Sequence, residues 1–243
     1  MSYADNPYRS LSYGTIAAHA EVDERSDFIR KTYLHLAGAV FAFMGLEAVL
    51  LNVPGLSDGF MQLLEASRYG WLLVIGGFVL VSYVADYWAR SATSVTTQYL
   101  GLGLYVVAEA VVFLPLLYIA AKYYDPRVIP TAGLATLVVF TGLTAIVFMT
   151  GKDFSFLRTG LFLGGLVAMG CVVASVIFPS FALGIVFSFA MIGLASGYIL
   201  YDTSNVLHHY RIGQHVAASL ALFASVALLF YYILRVVMSL SRR

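Results

Sequence analysis

Seven apolar runs divide this chain, each close to the roughly 20 residues that a helix needs to cross the hydrocarbon core of a bilayer. They cover residues 33–51, 71–88, 99–121, 128–149, 159–178, 181–201 and 216–240. Lipid offers no partner to a backbone N–H or C=O, so each run has to satisfy its own groups as a helix. The connections are short, which sets neighbouring helices antiparallel. The expected fold is therefore an all-α integral membrane protein with seven transmembrane helices. A seven-helix domain over residues 28–243 follows a polar N-terminal tail over residues 1–27, with Asp23 to Lys31 as the candidate start of an amphipathic turn. Within the runs, Pro130 falls in a first turn, where proline is tolerated. Pro115 is expected to kink the third span and Pro179 to stop the fifth.

Composition agrees. The chain is 60% hydrophobic and 11% charged, with a mean hydropathy of +0.85. A soluble domain carries about a quarter charged residues, so this one has too few to solvate a surface. A net charge of +1 gives no electrostatic footprint for nucleic acid, and no phosphate-cradling glycine loop suggests a nucleotide. The first 30 residues lack the apolar core of a cleavable signal peptide. Cys171, the only cysteine, allows no intrachain disulfide and is read as packing. Gly160 with Gly164, and Gly193 with Gly197, place small residues on one helix face, where backbones can approach closely.

With seven crossings, the N-terminal side carries Arg9, Arg25, Arg30, Lys31, Arg90, Lys152, Arg158 and Arg211. The other side carries Arg68, Lys122, Arg127, Arg235, Arg242 and Arg243. Eight against six favours a cytoplasmic N-terminus. A last segment that dips in and returns would move three arginines across and make the bias eleven against three. Its hydrophobic length favours a full crossing.

Ionisable groups within a span cost roughly 2.5–3.5 kcal/mol on insertion scales and usually face the bundle interior. Four carboxylates stand out: Glu47, Asp86, Glu109 and Asp202. Asp86 precedes Arg90 by four residues, the spacing of a helical ion pair. Glu47 is about a turn from the end of its span, where headgroup water is within reach. Glu109 is near the middle of its span, which makes it a candidate for an ion or proton path. If the sixth helix continues past its apolar run, Asp202, Asn205, Val206 and His209 share one face. That polar stripe is either a helix end fraying into water or a site covered by the last helix.

Other chemistries lack their residues. Ala195-Ser196-Gly197 would need glycine, where Leu194 stands, to match the Gly-x-Ser-Gly of intramembrane serine proteases. A retinal Schiff base needs a lysine in the last span, and the lysines are Lys31, Lys122 and Lys152. His208, His209 and His215 share one connection but have no carboxylate or cysteine companions at metal-ligand spacing. No enzyme activity and no cofactor is expected, beyond transient Ca²⁺ at Asp202.

Three segments carry a family resemblance. Residues 23–33, Asp-Glu-Arg-Ser-Asp-Phe-Ile-Arg-Lys-Thr-Tyr, resemble the segment leading into the first span of the Bax inhibitor-1 (transmembrane Bax inhibitor motif) family. Tyr198-Ile-Leu-Tyr-Asp202-Thr203 is similar to that family's sixth-helix motif. Residues 220–235 are similar to its last helix, which ends in an aromatic and leucine-rich run before an arginine. The resemblance is to a bacterial-type member and implies the inner (plasma) membrane. It implies six helices around a central seventh and a pH-sensitive passive leak of Ca²⁺, and it links the family to stress response. It further implies a gate in which an aspartate on the sixth helix and one on the last share a proton, with a second-helix arginine latching the closed form. Asp202 matches the first aspartate and Arg90 the arginine, while the second aspartate's position holds Ser225. Two close carboxylates repel, which is what makes them share a proton. A serine hydroxyl can only exchange a hydrogen bond.

Two functions are therefore expected. One is a cation (Ca²⁺ or H⁺) leak through Asp202, with Ser225 as its hydrogen-bond partner, Arg90 as counter-charge, and Glu109 or Asp86 as sources of the missing charge. The other is a non-conducting membrane regulator, acting in stress response or membrane-protein quality control, that binds a protein partner through the N-terminal tail.

Overall fold

The computed structural model describes residues 14–67, 69–92, 94–178 and 180–241. Among the described residues it is helical, in the order α1 Val22–Asn52, α2 Leu56–Glu65, α3 Gly70–Ala89, α4 Val95–Tyr123, α5 Val128–Thr150, α6 Leu157–Ile177, α7 Ile185–His208 and α8 His215–Ser241. All but α2 are long and apolar enough to cross a membrane, so the seven expected spans are present. Arg9, Arg68, Pro179, Arg242 and Arg243 lie outside the described residues.

Several boundaries differ, each for a local reason. α1 starts at Val22, inside the tail expected to reach residue 27. Charge interrupts hydropathy there without interrupting the helix. Asp23 and Glu24 occupy its first turn, where negative side chains complement the helix dipole. Asp27 pairs with Arg30 and with Lys31, both at 2.7 Å. α7 begins at Ile185, four residues later than expected, and runs on to His208. α4 passes Pro115 as one helix, with the proline buried. α8 does not stop at Arg235: it runs 27 residues in all, to Ser241, about 40 Å at 1.5 Å per residue, long enough for a full crossing. The Arg235 Nη2 donates to the Leu183 carbonyl at 3.1 Å, tying the far end of α8 to the segment just before α7. α2 was not expected. Ten residues cannot span, and it instead buries Ser57 and Leu64 while leaving Leu63 exposed.

The last helix is the centre of the bundle. α8 is buried on nearly every side, from Val216 to Met238, and packs against α1, α3, α4, α5 and α7. α6 packs mainly against α7 and α3, and its Ala168 joins Met191 of α7 and Tyr232 of α8 in a small apolar cluster. Phe43, Phe113, Phe223 and Phe230 interlock between α1, α4 and α8. Phe113 lies edge-on to Phe43 at 5.1 Å and stacked on Phe230 at 5.8 Å. The outward faces are apolar as well: Leu73, Leu80 and Tyr83 on α3, Leu134 and Val138 on α5, and Leu163 and Val167 on α6 are exposed. Such a surface suits lipid.

Backbones approach most closely between α3 and α4. A methyl built on Gly101 would stand 2.5 Å from both the Ala85 carbonyl oxygen and the Ala89 amide nitrogen. The expected glycine pairs act only in part. Gly164 and Gly197 admit Leu194 and Leu161 across the α6–α7 contact, whereas Gly160 and Gly193 face open space. Overpacking a tight contact costs about 1–3 kcal/mol, and here the obstruction is backbone. Gly101→Ala is therefore expected to lower the thermal unfolding temperature of the purified protein in detergent, while Gly160→Ala leaves it unchanged.

Candidate functional site

Asp202 projects from α7 two turns before its end and is 8% exposed. The helix persists past its apolar run because its last polar residues find partners. His208 Nδ1 donates to the Ser204 carbonyl at 3.1 Å, and the His209 amide closes the last turn on Asn205. α8 covers the aspartate. The Ser225 hydroxyl, itself buried, donates to Asp202 Oδ2 at 2.5 Å. A helix end fraying into water does not describe this arrangement.

Arg90 follows the last residue of α3, and its Nε donates to both Asp86 oxygens, at 2.9 and 2.8 Å. The ion pair expected from spacing is present and half exposed. The guanidinium also interacts with the hydroxyl of Tyr210, and its charge acts on Asp202. Tyr210 lies in the α7–α8 connection and is buried. Burial pushes its phenol upward from the ordinary value, against the opposing charge of Arg90. Asp86, Arg90, Tyr210, Asp202 and Ser225 thus meet where α3, α7 and α8 come together. Glu109 does not join them. It is buried on α4 and accepts a 3.1 Å bond from Tyr105, one turn earlier on the same helix. Neither Glu109 nor Asp86 hydrogen-bonds Asp202.

The remaining stripe on α7 divides. Val206 is buried, Asn205 partly so, and His209 turns outward to Asp153 at 3.0 Å. Asp153 belongs to the α5–α6 connection and was not singled out from sequence, because an acidic residue in a polar loop carries no local signal. Its Oδ1 accepts from the Ser155 amide at 2.8 Å and from the Ser204 hydroxyl at 3.3 Å, while the Phe154 amide donates to Ser204 Oγ at 2.8 Å. This loop is stapled to the end of α7. The three histidines diverge: His208 bonds its own helix, His209 bonds Asp153, and the His215 ring lies 4.9 Å from that of His35. His35 Nδ1 donates to the Lys31 carbonyl, leaving Nε2 to accept from the Tyr99 hydroxyl at 2.8 Å.

Residues 14–17 form a strap over the same end of the bundle. The Gly14 amide donates to the Ile212 carbonyl, Ala17 to Tyr210, and Ile212 back to Thr15, at 2.8–3.0 Å. Ala17 is fully buried. At the other end, Glu47 does not reach headgroup water. It is 4% exposed, and among the described residues neither carboxylate oxygen has a hydrogen-bond partner.

Comparison with known proteins identifies the family. The family model described as "Inhibitor of apoptosis-promoting Bax1" matches residues 25–242. The chain belongs to the Bax inhibitor-1 family. A BI1-like protein of Arabidopsis thaliana is 31% identical over 94% of this chain and 84% of its own length. The Bax inhibitor 1 of Schizosaccharomyces pombe is 28% identical over 87% of this chain and 76% of its own. An uncharacterized Pseudomonas aeruginosa protein is 29% identical over 92% of this chain and 94% of its own. In this member of the Bax inhibitor-1 family, the sixth-span aspartate faces a serine across α8.

The loop staple carries a pH prediction. The Ser155 amide, then His209, hold the Asp153 carboxyl below its ordinary value. The staple is therefore complete above the ordinary aspartate value, near 3.9. It is lost as pH falls through the lowered one. Asp153→Asn at neutral pH is expected to reproduce that loss, seen as faster hydrogen exchange of amides 153–156. Equal exchange in both proteins would show that the carboxylate does not hold the loop.

Proposed function

We propose that this chain is a passive cation leak, for Ca²⁺ or H⁺, whose control point is Asp202. The observation that carries this reading is a carboxylate buried inside a membrane bundle and bridged by a hydrogen bond to the central helix. Intramembrane carboxylates that face a bundle interior mark ion or proton paths. Ser225 holds Asp202 against α8, and Arg90 supplies the nearby positive charge while paired with Asp86. Parting α7 from α8 breaks the Ser225 bond and opens Asp202 to water. With one carboxylate instead of two, the site offers Ca²⁺ few of the six to eight oxygens it prefers. Contact with the ion is then transient, as a leak requires.

The protein in vesicles carrying an internal Ca²⁺ indicator tests this. Asp202→Asn should lower Ca²⁺ uptake severalfold and flatten its dependence on pH. Ser225→Asp restores a carboxylate pair and should steepen that dependence. Uptake and pH response unchanged by both substitutions would remove Asp202 from the path.

One observation favours a second reading, a non-conducting regulator. The partner of Asp202 is a neutral hydroxyl, and among the described residues no other carboxylate hydrogen-bonds to it. Residues 14–17 pair with the α7–α8 connection, and residues 1–13 are the part of the tail that can be removed without breaking that pairing. On this reading, deleting residues 1–13 abolishes partner capture without affecting stability, and vesicle flux is no greater than in protein-free controls.

A further inference from the structure

Glu47 is a buried carboxylate that the Asp202 site does not use. It is 4% exposed, and among the described residues neither of its oxygens has a hydrogen-bond partner. The titratable groups on the elements packed against α1 are engaged elsewhere. On α4, Glu109 pairs with Tyr105, Tyr99 with His35, and Tyr118 and Lys122 both bond to Asp58 of α2. Glu65 of α2 lines an open surface pocket with that cluster. On α8, the Tyr231 ring packs on Phe113, and His215 lies beside His35 at the opposite end of the bundle.

The position of Glu47 is defined by the aromatic cluster. It lies one turn after Phe43 on α1, and Glu109 lies one turn before Phe113 on α4. The two phenylalanines are in edge-to-face contact, and both helices run from the N-terminal side of the bundle to the other. The two carboxylates therefore flank one aromatic contact, offset by about 12 Å in depth at 1.5 Å per residue over eight residues. Both belong to the α1–α4 side of α8, the side that receives Phe223 and Phe230. Ser225 is two residues from Phe223 and so projects to nearly the opposite side of α8, toward Asp202.

We propose that Glu47 and Glu109 are proton-binding stations on a second route through the bundle, with the Phe43–Phe113 contact as the plug between them. An unpaired carboxylate in an apolar interior needs a cation. A proton is the one that fits, because it bonds to a single oxygen, whereas Ca²⁺ needs a shell of oxygens that Glu47 lacks. The route is separate from Asp202 and does not depend on Ca²⁺ passing there.

Two measurements on the full chain in vesicles test it. A carbodiimide, which modifies protonated carboxyl groups in apolar surroundings, should label Glu47, with less adduct as bath pH rises. With an internal pH indicator and the membrane potential clamped, Glu47→Gln should lower proton flux severalfold, Glu47→Asp should retain most of it, and Phe43→Ala should raise it. Asp202→Asn should leave the Glu47-dependent proton flux in place, so the two sites can fail independently. No adduct on Glu47, or equal proton flux in the wild type and Glu47→Gln, would overturn the proposal.

Discussion

Enclosure of α8 is the constraint on which the rest of the molecule depends. A helix apolar on all sides has no preferred outward face, so neighbours must surround it and each neighbour is placed by what α8 offers there. Toward α1 and α4 it offers Phe223 and Phe230, which lock into Phe43 and Phe113. Toward α7 it offers Ser225, whose hydroxyl is 5% exposed in residue terms and must find an acceptor or lose a hydrogen bond that water would otherwise provide. Asp202 is that acceptor. Polar pairing on one side and aromatic packing on the other are thus two consequences of the same burial.

The nature of the pair determines how the interface can open. A hydrogen bond to a charged group is worth about 1.5–3 kcal/mol net, and an orphaned buried partner costs more. α7 therefore cannot separate from α8 unless water replaces the serine hydroxyl at Asp202. A serine hydroxyl, unlike a second carboxylate, keeps its proton and so adds no titration of its own to the interface. Whatever sensitivity to protons the interface has must come from Asp202 and from the groups around Arg90. The bifurcated Nε contact to Asp86 holds Arg90 at the end of α3 while its charge still reaches Asp202.

The seven spans were legible in the sequence because each rests on the length of an apolar run, and the pairing of Asp202 with Ser225 was legible through the resemblance of the sixth and last helices to the Bax inhibitor-1 family. Counting back from Arg235 along the last helix placed position 225. Features that depend on tertiary contact were not legible. Asp153 looks like any loop aspartate until Ser204 and His209 arrive from some fifty residues away in sequence. α2 is too short to register as a span. The first turns of α1 read as tail because their charges, which in fact pair with one another, lower hydropathy without breaking the helix. Glu47 read as an interfacial residue because depth along a helix is visible in sequence and the neighbours that close over it are not.

These tertiary features concentrate at one end of the bundle. The α7–α8 connection carries Tyr210 against Arg90 and accepts the strap of residues 14–17 on its backbone. His209, at the end of α7, takes the α5–α6 loop through Asp153. Asp202 lies less than three turns up the same helix from His209. A displacement of the end of α7 must therefore be shared by the strap, the loop and the arginine. The last helix does not have to move for this to happen, since its other face is fixed by phenylalanines. Three contacts thus converge on the end of α7 beside Asp202: the strap on the α7–α8 connection, Asp153 on His209, and Arg90 on Tyr210.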